Sequence, residues 1–483
     1  MIENMIPDIN WMVIYPEIAI CVTAAIVLIV DLMLPKKHKW VLAAISIAGV
    51  VVALQLVFKY FDVPGDSFFG MIVNDAAGSY FKTIFCVGTL LTLFLSITYQ
   101  RREFPETGEF YTLILLATFG MMVMATSVDL ITIFIGLEMM SIPLYVLAGI
   151  YGNRYRSNEA ALKYFLLGAF ASGFLLYGIA FIYGAFGTTN LNQITALITA
   201  GTGYSEFYVT IGMILILIGL AFKAGVVPFH MWIPDVYEGA PAPVTAFMSA
   251  GPKAAAVIAI LRIFVVNTPV IDFTMIFWVL AVITMTWGNI LALNQSNVKR
   301  MLAYSSIAHV GYILIAITVG MREGLSSAAF YLFAYTLMNI GAFAVIILFA
   351  EKEEFYENIS DYAGFGTKFP FAAIAMTIFL ASLGGIPGTI GFIGKFMIFK
   401  AAIQKGFYWL AVIGVLNAVV AFYYYLRIVV AMYMKKGESR LFDVAISPSL
   451  MIAILITLLG VVLIGVFPEN WLILADKAAQ IIP

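Results

Sequence analysis

The sequence predicts an all-α polytopic membrane protein of about 14 transmembrane helices, with two inverted five-helix repeats (helices 4–8 and 9–13) and with helices 7 and 12 interrupted. Three observations predict it. Of 483 residues, 63% are hydrophobic and only 11% charged, against about 25% charged in soluble domains, and the mean hydropathy is +1.01. Apolar runs long enough to cross a hydrocarbon core recur along nearly the whole chain, separated by short polar breaks. Two of those runs carry proline and glycine at mid-span, where lipid cannot satisfy the backbone groups they free.

The first three runs, 11–34, 40–60 and 77–98, are continuous and apolar. The chain start, "MIENMIPDINWMVIYPEIAICV", lacks the basic region and small-residue cleavage site of a signal peptide, so the first run is expected to stay as a helix. Runs at 110–126 and 128–150 follow, the second carrying Glu138. Next come 159–185, then 207–238 with Gly225, Pro228 and Pro234, then 242–266 with Lys253. The remaining runs are 273–294, 301–319 with His309, 326–350, 370–403 with Gly384, Gly385, Pro387 and Gly388, 408–434 and 447–467. The expected organisation is a single membrane domain over 1–483, with three N-terminal helices in 1–109, repeats in 110–266 and 273–434, and a C-terminal helix and tail in 447–483. No room remains for a large soluble domain. A net charge of −1 argues against nucleic acid. Cys21 and Cys86 lie in apolar runs, and two cysteines cannot supply the four ligands an iron–sulfur cluster takes, so both are expected to pack.

Lysine and arginine mark cytoplasmic loops. The segments "KKHK", "QRRE", "GNRYRS", "NVKR", "EKEEFYENISDYAGFGTK" and "MKKGESR" hold fourteen basic residues. The opposite side holds Lys59, Lys82, Arg322, Lys400, Lys405 and Lys477. Both termini are therefore expected on the non-cytoplasmic side. Six basic residues fall inside spans: Lys163, Lys223, Lys253, Arg262, Lys395 and Arg427. A charge at the bilayer centre costs about 2.5–3.5 kcal/mol on insertion scales, so it lines a pathway, pairs with another charge or snorkels to the interface. Arg262 and Arg427 lie near span ends and are expected to snorkel. Lys163, about one turn inside its helix, fits either role. Lys223, Lys253 and Lys395 are deeper, and the two broken spans bring unusual backbone near them.

Glu138 is the one acidic residue expected deep, about 15 Å along its helix axis, and is the natural partner for a buried lysine. His230, two turns after Lys223, and His309 in "AYSSIAHVGYILIAI" add titratable groups. Glu138, Lys223, His230, Lys253, His309 and Lys395 thus read as a row of acid and base groups beside two broken helices. Such rows mark proton relays.

The stretches "AFKAGVVPFHMWIPDVYEGAPAPVTAFMSAGPKAA", "ALNQSNVKRMLAYSSIAHVGY", "NEAALKYFLLGAFASGFLLYG" and "GIPGTIGFIGKFMIF" resemble the antiporter-like proton-translocating membrane subunits of respiratory complex I, over nearly the whole chain. The likeness is to the N-type branch: the M type carries glutamate where this chain has Lys395, and the L type ends in a long lateral helix. The resemblance implies a coupled pair Glu138–Lys223, a central relay at Lys253, a second channel lysine at Lys395, and family positions at His230 and Lys163. It implies no cofactor bound by this chain, with NADH, FMN, iron–sulfur clusters and quinone in partner subunits. Its partners would be the other membrane-arm subunits, the peripheral arm indirectly, and lipid. The residues agree, since there is no G-x-G-x-x-G helix entry, P-loop or cysteine cluster, and "GFGTK" at 364–368 is a loop fragment. Separating a buried pair costs about 3–5 kcal/mol, enough to drive a proton from Lys223 toward Lys253, with Lys395 governing release outside. Two other classes compete: a subunit of a multi-subunit cation/proton antiporter, and a silent membrane scaffold.

Overall fold

The computed structural model describes residues 9–35, 38–103, 107–152, 154–201, 203–266, 272–349, 357–435 and 447–480. Lys36, Lys37, Lys352, Lys436, Arg440 and the expected span end at 350 lie outside the described residues. The helices in order are α1 (Tyr15–Met33), α2 (Trp40–Lys59), α3 (Ala76–Glu103), α4 (Gly108–Thr126), α5 (Leu130–Ala148), α6 (Tyr155–Phe186), α7 (Leu191–Thr199), α8 (Glu206–Ala224), α9 (Trp232–Gly239) and α10 (Ala242–Ile260), the last running on through a π turn, Leu261–Val266. Then follow α11 (Thr274–Leu293), α12 (Val298–Val319), α13 (Met321–Ile346), α14 (Phe365–Lys368), α15 (Pro370–Gly384), α16 (Ile390–Gln404), α17 (Tyr408–Met434), α18 (Pro448–Val466) and α19 (Glu469–Ala478). The chain is an all-α polytopic membrane protein.

Among the described residues 13 helices are long and apolar enough to cross a membrane, and the expected twelfth span is built from the two shorter helices α15 and α16. The seventh span is shorter than expected: α8 ends at Ala224, and 232–239 is a separate short helix. One small feature escaped the hydropathy pattern, an antiparallel hairpin of β1 (Gly65–Ser67) and β2 (Ile72–Asn74) between α2 and α3. Helix burial decides the layers. The spans of α10 and α13 are wholly buried and that of α12 is 94% buried, whereas α1, α2, α6, α11, α17 and α18 keep most of their surface outward. These three interior helices carry Lys253, His309 and a row of tyrosines. α19 lies against α3 and α13, with Trp471 stacked on Phe333 at 4.3 Å.

Local features recur between the two halves. Asp129 and Asn190 form an isolated antiparallel bridge, closed by Leu130 N–H to Thr189 O and Leu191 N–H to Val128 O. Asn297 and Asn358 form the same bridge, closed by Val298 N–H to Glu357 O and Ile359 N–H to Ser296 O. Asp129 and Asn297 each cap the helix that follows, α5 and α12, through side-chain oxygens. Gly120 lets α4 approach Gly136 and Met140 of α5; at the same sequence offset, Gly288 lets α11 approach Tyr304 and Ala308 of α12.

Candidate functional site

Both helix breaks satisfy their freed backbone within the protein. α8 ends at Gly225, whose φ of +87° suits a residue without Cβ. The amides of Gly225 and Val226 both return to Ala221 O, Trp232 Nε1 donates to Phe222 O at 2.9 Å, and Val227 N–H donates to Thr284 Oγ1 at 3.1 Å. α15 ends the same way at Gly385, φ +93°, with Gly385 and Ile386 amides returning to Ala381 O. Here the last carbonyls, Leu383 O and Gly384 O, accept from Lys395 Nζ at 2.8 and 3.1 Å. A cation at a helix C-terminus is favoured by the helix dipole, so the break itself holds Lys395 in place.

Lys223 sits one turn or less before the first break, buried, and donates to the Tyr145 hydroxyl at 2.8 Å. Its ammonium also lies 4.8 Å from the Tyr145 ring centre and 5.2 Å from that of Tyr164, a distance at which ring faces attract a cation. Glu138, two turns before Tyr145 on α5, is half-buried and accepts from the Ser172 hydroxyl of α6. The expected direct Glu138–Lys223 ion pair is not among the ion pairs of the described residues. Tyr145 takes up the lysine and Ser172 the carboxylate, so each charge is satisfied separately.

Lys253 on α10 is buried and donates to Ser306 Oγ on α12 at 2.5 Å, with its ammonium 5.6 Å from the Tyr237 ring centre. The neighbouring Ser305 shares a hydrogen bond with Tyr425 of α17. Tyr425 also meets His309 Nε2 at 3.1 Å, and His309 Nδ1 meets Tyr331 of α13 at 2.6 Å. Lys395 closes the row, its ammonium 4.9 Å from the Tyr312 ring centre. α12 therefore presents one face, Ser305, Ser306, His309 and Tyr312, to both buried lysines.

Two of the expected residues stand apart. His230 is buried just before α9, with no hydrogen bond from its ring to Lys223, Lys253 or His309 among the described residues. Lys163 keeps a side chain 41% exposed and pairs with Glu159 and Asp235, each at 2.7 Å. It belongs to a surface lattice in which Arg300 binds Asp235 and Glu238, each at 2.8 Å. Arg262 corrects an expectation: it does not snorkel. Its side chain is fully buried, bound to Asp75 at 2.7 Å, and its Nε donates to Ala125 O at 2.9 Å. Asp75, also buried, stands just before α3 and accepts from Gly78 N–H. Arg427 donates to Leu293 O at the end of α11, at 2.6 Å, from a half-buried position. Nor is Glu138 alone: Glu17 is more deeply buried and binds the buried Lys82 at 2.7 Å.

Hydropathy reading passed over Tyr145, Ser172, Ser305, Ser306, Tyr331 and Tyr425. Ser305 and Ser306 carried a signal, standing four and three residues before His309 and thus on its helix face. The tyrosines carried none, since each meets its partner from another helix. Cys86 is buried, as expected, whereas Cys21 is exposed and does not pack inside the chain; both are free thiols.

A profile of the family described as NADH:quinone oxidoreductase/Mrp antiporter, transmembrane, matches residues 127–421, a range that contains all seven site positions. The chain is similar to subunit N of NADH-quinone oxidoreductase from Trichlorobacter lovleyi, 47% identical over 100% of this chain and 99% of that protein. Its fold is similar to a chain of respiratory complex I from Thermus thermophilus with bound aureothin, at 31% identity and a TM-score of 0.82, covering 95% of this chain and 99% of that one. It is also similar to a chain of the membrane-bound sulfane sulfur reductase, an archaeal respiratory membrane complex, at 26% identity and a TM-score of 0.84, covering 98% and 97%.

Proposed function

The chain belongs to the subunit N family of NADH-quinone oxidoreductase, within the NADH:quinone oxidoreductase/Mrp antiporter transmembrane fold, and from that premise we propose that it translocates protons across the membrane without redox chemistry of its own. It is a membrane-arm subunit of complex I and sits with the other membrane-arm subunits. In this reading NADH, FMN, iron–sulfur clusters and quinone stay in partner subunits, and electron transfer there drives the proton step here. The bilayer is the cell's inner membrane, with both termini on the non-cytoplasmic side, which the lysine and arginine bias of the loops supports.

One observation carries the proposal. Three buried lysines, Lys223, Lys253 and Lys395, have no carboxylate at ion-pair distance among the described residues; instead the hydroxyls of Tyr145 and Ser306 and the carbonyls of Leu383 and Gly384 receive them. A structural ion pair is satisfied by its opposite charge. A lysine held by a neutral hydroxyl gains less from staying charged, and a hydroxyl both accepts and donates a proton. The path runs from Lys223 at Tyr145, through water to Lys253, across Ser306 and Ser305, through Tyr425 and His309, and to Lys395 for release. Glu138 acts on Lys223 through Tyr145 and the intervening medium, and charge movement near Glu138 gates the first step. His230 and Lys163 serve as peripheral members, Lys163 through Asp235 and Arg300. The units of this machine are the halves 110–266 and 273–434, flanked by 1–109 and 447–483. Their relation as inverted repeats is supported by the paired bridges, caps and glycine-terminated breaks.

Two comparisons test this in the assembled complex, with proton uptake into vesicles read against quinone reduction. Lys223→Ala and Glu138→Ala are expected to assemble and to lose most pumping, and normal pumping in either would remove that residue from the path. Lys395→Arg is expected to assemble yet pump poorly, because arginine keeps its proton. The family profile also names Mrp antiporters, so a cation/proton antiporter subunit is the second reading. Co-purification with NADH-oxidising and iron–sulfur subunits separates the two.

A further inference from the structure

Lys395 also lines a groove that opens on the outer surface of the helix bundle. Between α16 and α17, beside the end of α15, lies a space of about 390 Å3 lined by Phe396, Val419 and Phe422, with Gly384, Gly385 and Lys395 also in its lining. Phe396 is 53% and Val419 67% exposed, while Lys395 is 4% exposed, so the groove leads from the outer surface to a buried ammonium. Of the three N–H donors of that ammonium, two go to Leu383 O and Gly384 O. Nothing anionic among the described residues claims the third.

A buried cation behind apolar walls selects an occupant with one anionic end and an apolar tail. Depth narrows the choice. The 15 residues of α15 and the 15 of α16 each extend about 22 Å away from the break, so the break falls near the middle of a hydrocarbon core of about 30 Å, away from the headgroup level on either side where a phospholipid phosphate is held. A single-chain carboxylic acid enters hydrocarbon in its neutral form and is not so held.

We propose that this groove binds a long-chain free fatty acid, with its carboxylate paired to Lys395 and its tail lying along Phe396, Val419 and Phe422. When the site holds Lys395 as the amine, whose two N–H bonds go to Leu383 O and Gly384 O, the acid's O–H bond breaks as it binds and its proton joins the Nζ lone pair, giving the carboxylate–ammonium pair with no further reactant. The bound acid then holds Lys395 charged. Where Lys395 releases protons, as proposed above, this slows pumping; that consequence rests on the proton path, whereas the binding site does not.

The test uses the assembled complex in liposomes and palmitate carrying a photoreactive diazirine in its tail, with labelled peptides mapped by mass spectrometry. Label is expected in 390–404 and 408–434. Unlabelled palmitate should compete several-fold better than hexadecanol, and Lys395→Met should erase that preference. Val419→Trp, which fills the groove, should lower labelling several-fold while pumping in the absence of fatty acid stays at the wild-type rate; Val415→Trp, on the same wall, replaces it if assembly fails. Label spread evenly over the outward-facing helices, equal competition by the alcohol, or labelling indifferent to the tryptophan would overturn the site. Specific labelling that leaves pumping unchanged keeps the site and removes Lys395 from proton release.

Discussion

Each buried charge among the described residues is defined by what accepts it, and the acceptors separate the structural ion pairs from the lysines proposed to carry protons. Arg262 and Asp75 are fully buried and form an ion pair at 2.7 Å. Removing one partner of such a pair costs about 3–5 kcal/mol. Arg262→Ala is therefore expected to lower assembly or the melting temperature of the complex sharply, whereas Arg427→Ala, which gives up one bond to Leu293 O from a half-buried site, should stay within about 1 kcal/mol of wild type. Equal melting of the two variants would refute the distinction. Tyr145→Phe removes the hydroxyl that receives Lys223; a hydrogen bond to a charged group is worth about 1.5–3 kcal/mol. The variant is expected to assemble and to lose most pumping, and unchanged proton uptake per quinone reduced would take Tyr145 out of the path. The sequence located Lys223, Lys253 and Lys395 because a cation in an apolar run is visible without a fold. It misjudged Arg262 because Asp75, its partner, is far away in the chain and close only in space.

At the scale of elements, the broken helices do the positioning. Gly385 and Gly388 both hold positive φ, +93° and +85°, so alanine at either carries a left-handed cost of about 1–2 kcal/mol. Only Gly385 is crowded: a Cβ there would stand 3.1 Å from Lys395 Cδ, whereas nothing lies within 4 Å at Gly388. Gly385→Ala is expected to displace Lys395 and depress proton uptake per quinone reduced well beyond Gly388→Ala. Equal effects would show that backbone strain alone is felt. The breaks were legible because proline and glycine at mid-span are incompatible with lipid-exposed backbone. The separate helix α9 and the β1–β2 hairpin were not, since a few turn residues inside a hydrophobic chain leave the hydropathy profile nearly unchanged.

For the whole molecule, the question is which ion crosses. A sodium site wants carboxylates and carbonyl oxygens, whereas the buried row consists of lysines, tyrosines, serines and a histidine, with Glu138 half-buried at one end. The assembled complex is expected to pump protons with no sodium requirement, each charge working against about 2.3 kcal/mol per 100 mV. Redox-driven proton uptake measured with and without sodium decides this. Pumping lost in sodium-free buffer and restored in proportion to added sodium would promote the antiporter reading.

The sequence by itself determined the class, the helical spans, the two breaks and the three deep lysines, because hydropathy, helix-breaking residues and the cost of a buried charge are local properties of a chain in lipid. Only the tertiary structure decided which groups those lysines meet. Tyr145 receives Lys223, Ser306 receives Lys253, Tyr331 and Tyr425 hold His309, and Ser172 rather than a lysine holds Glu138. Tyrosine and serine are ordinary residues of a membrane helix, and nothing in their own surroundings along the chain marks them. They become a hydrogen-bonded row only when α10, α12, α13 and α17 pack, since a hydrogen bond needs two groups within about 3 Å, a distance set by helix packing and not by sequence spacing.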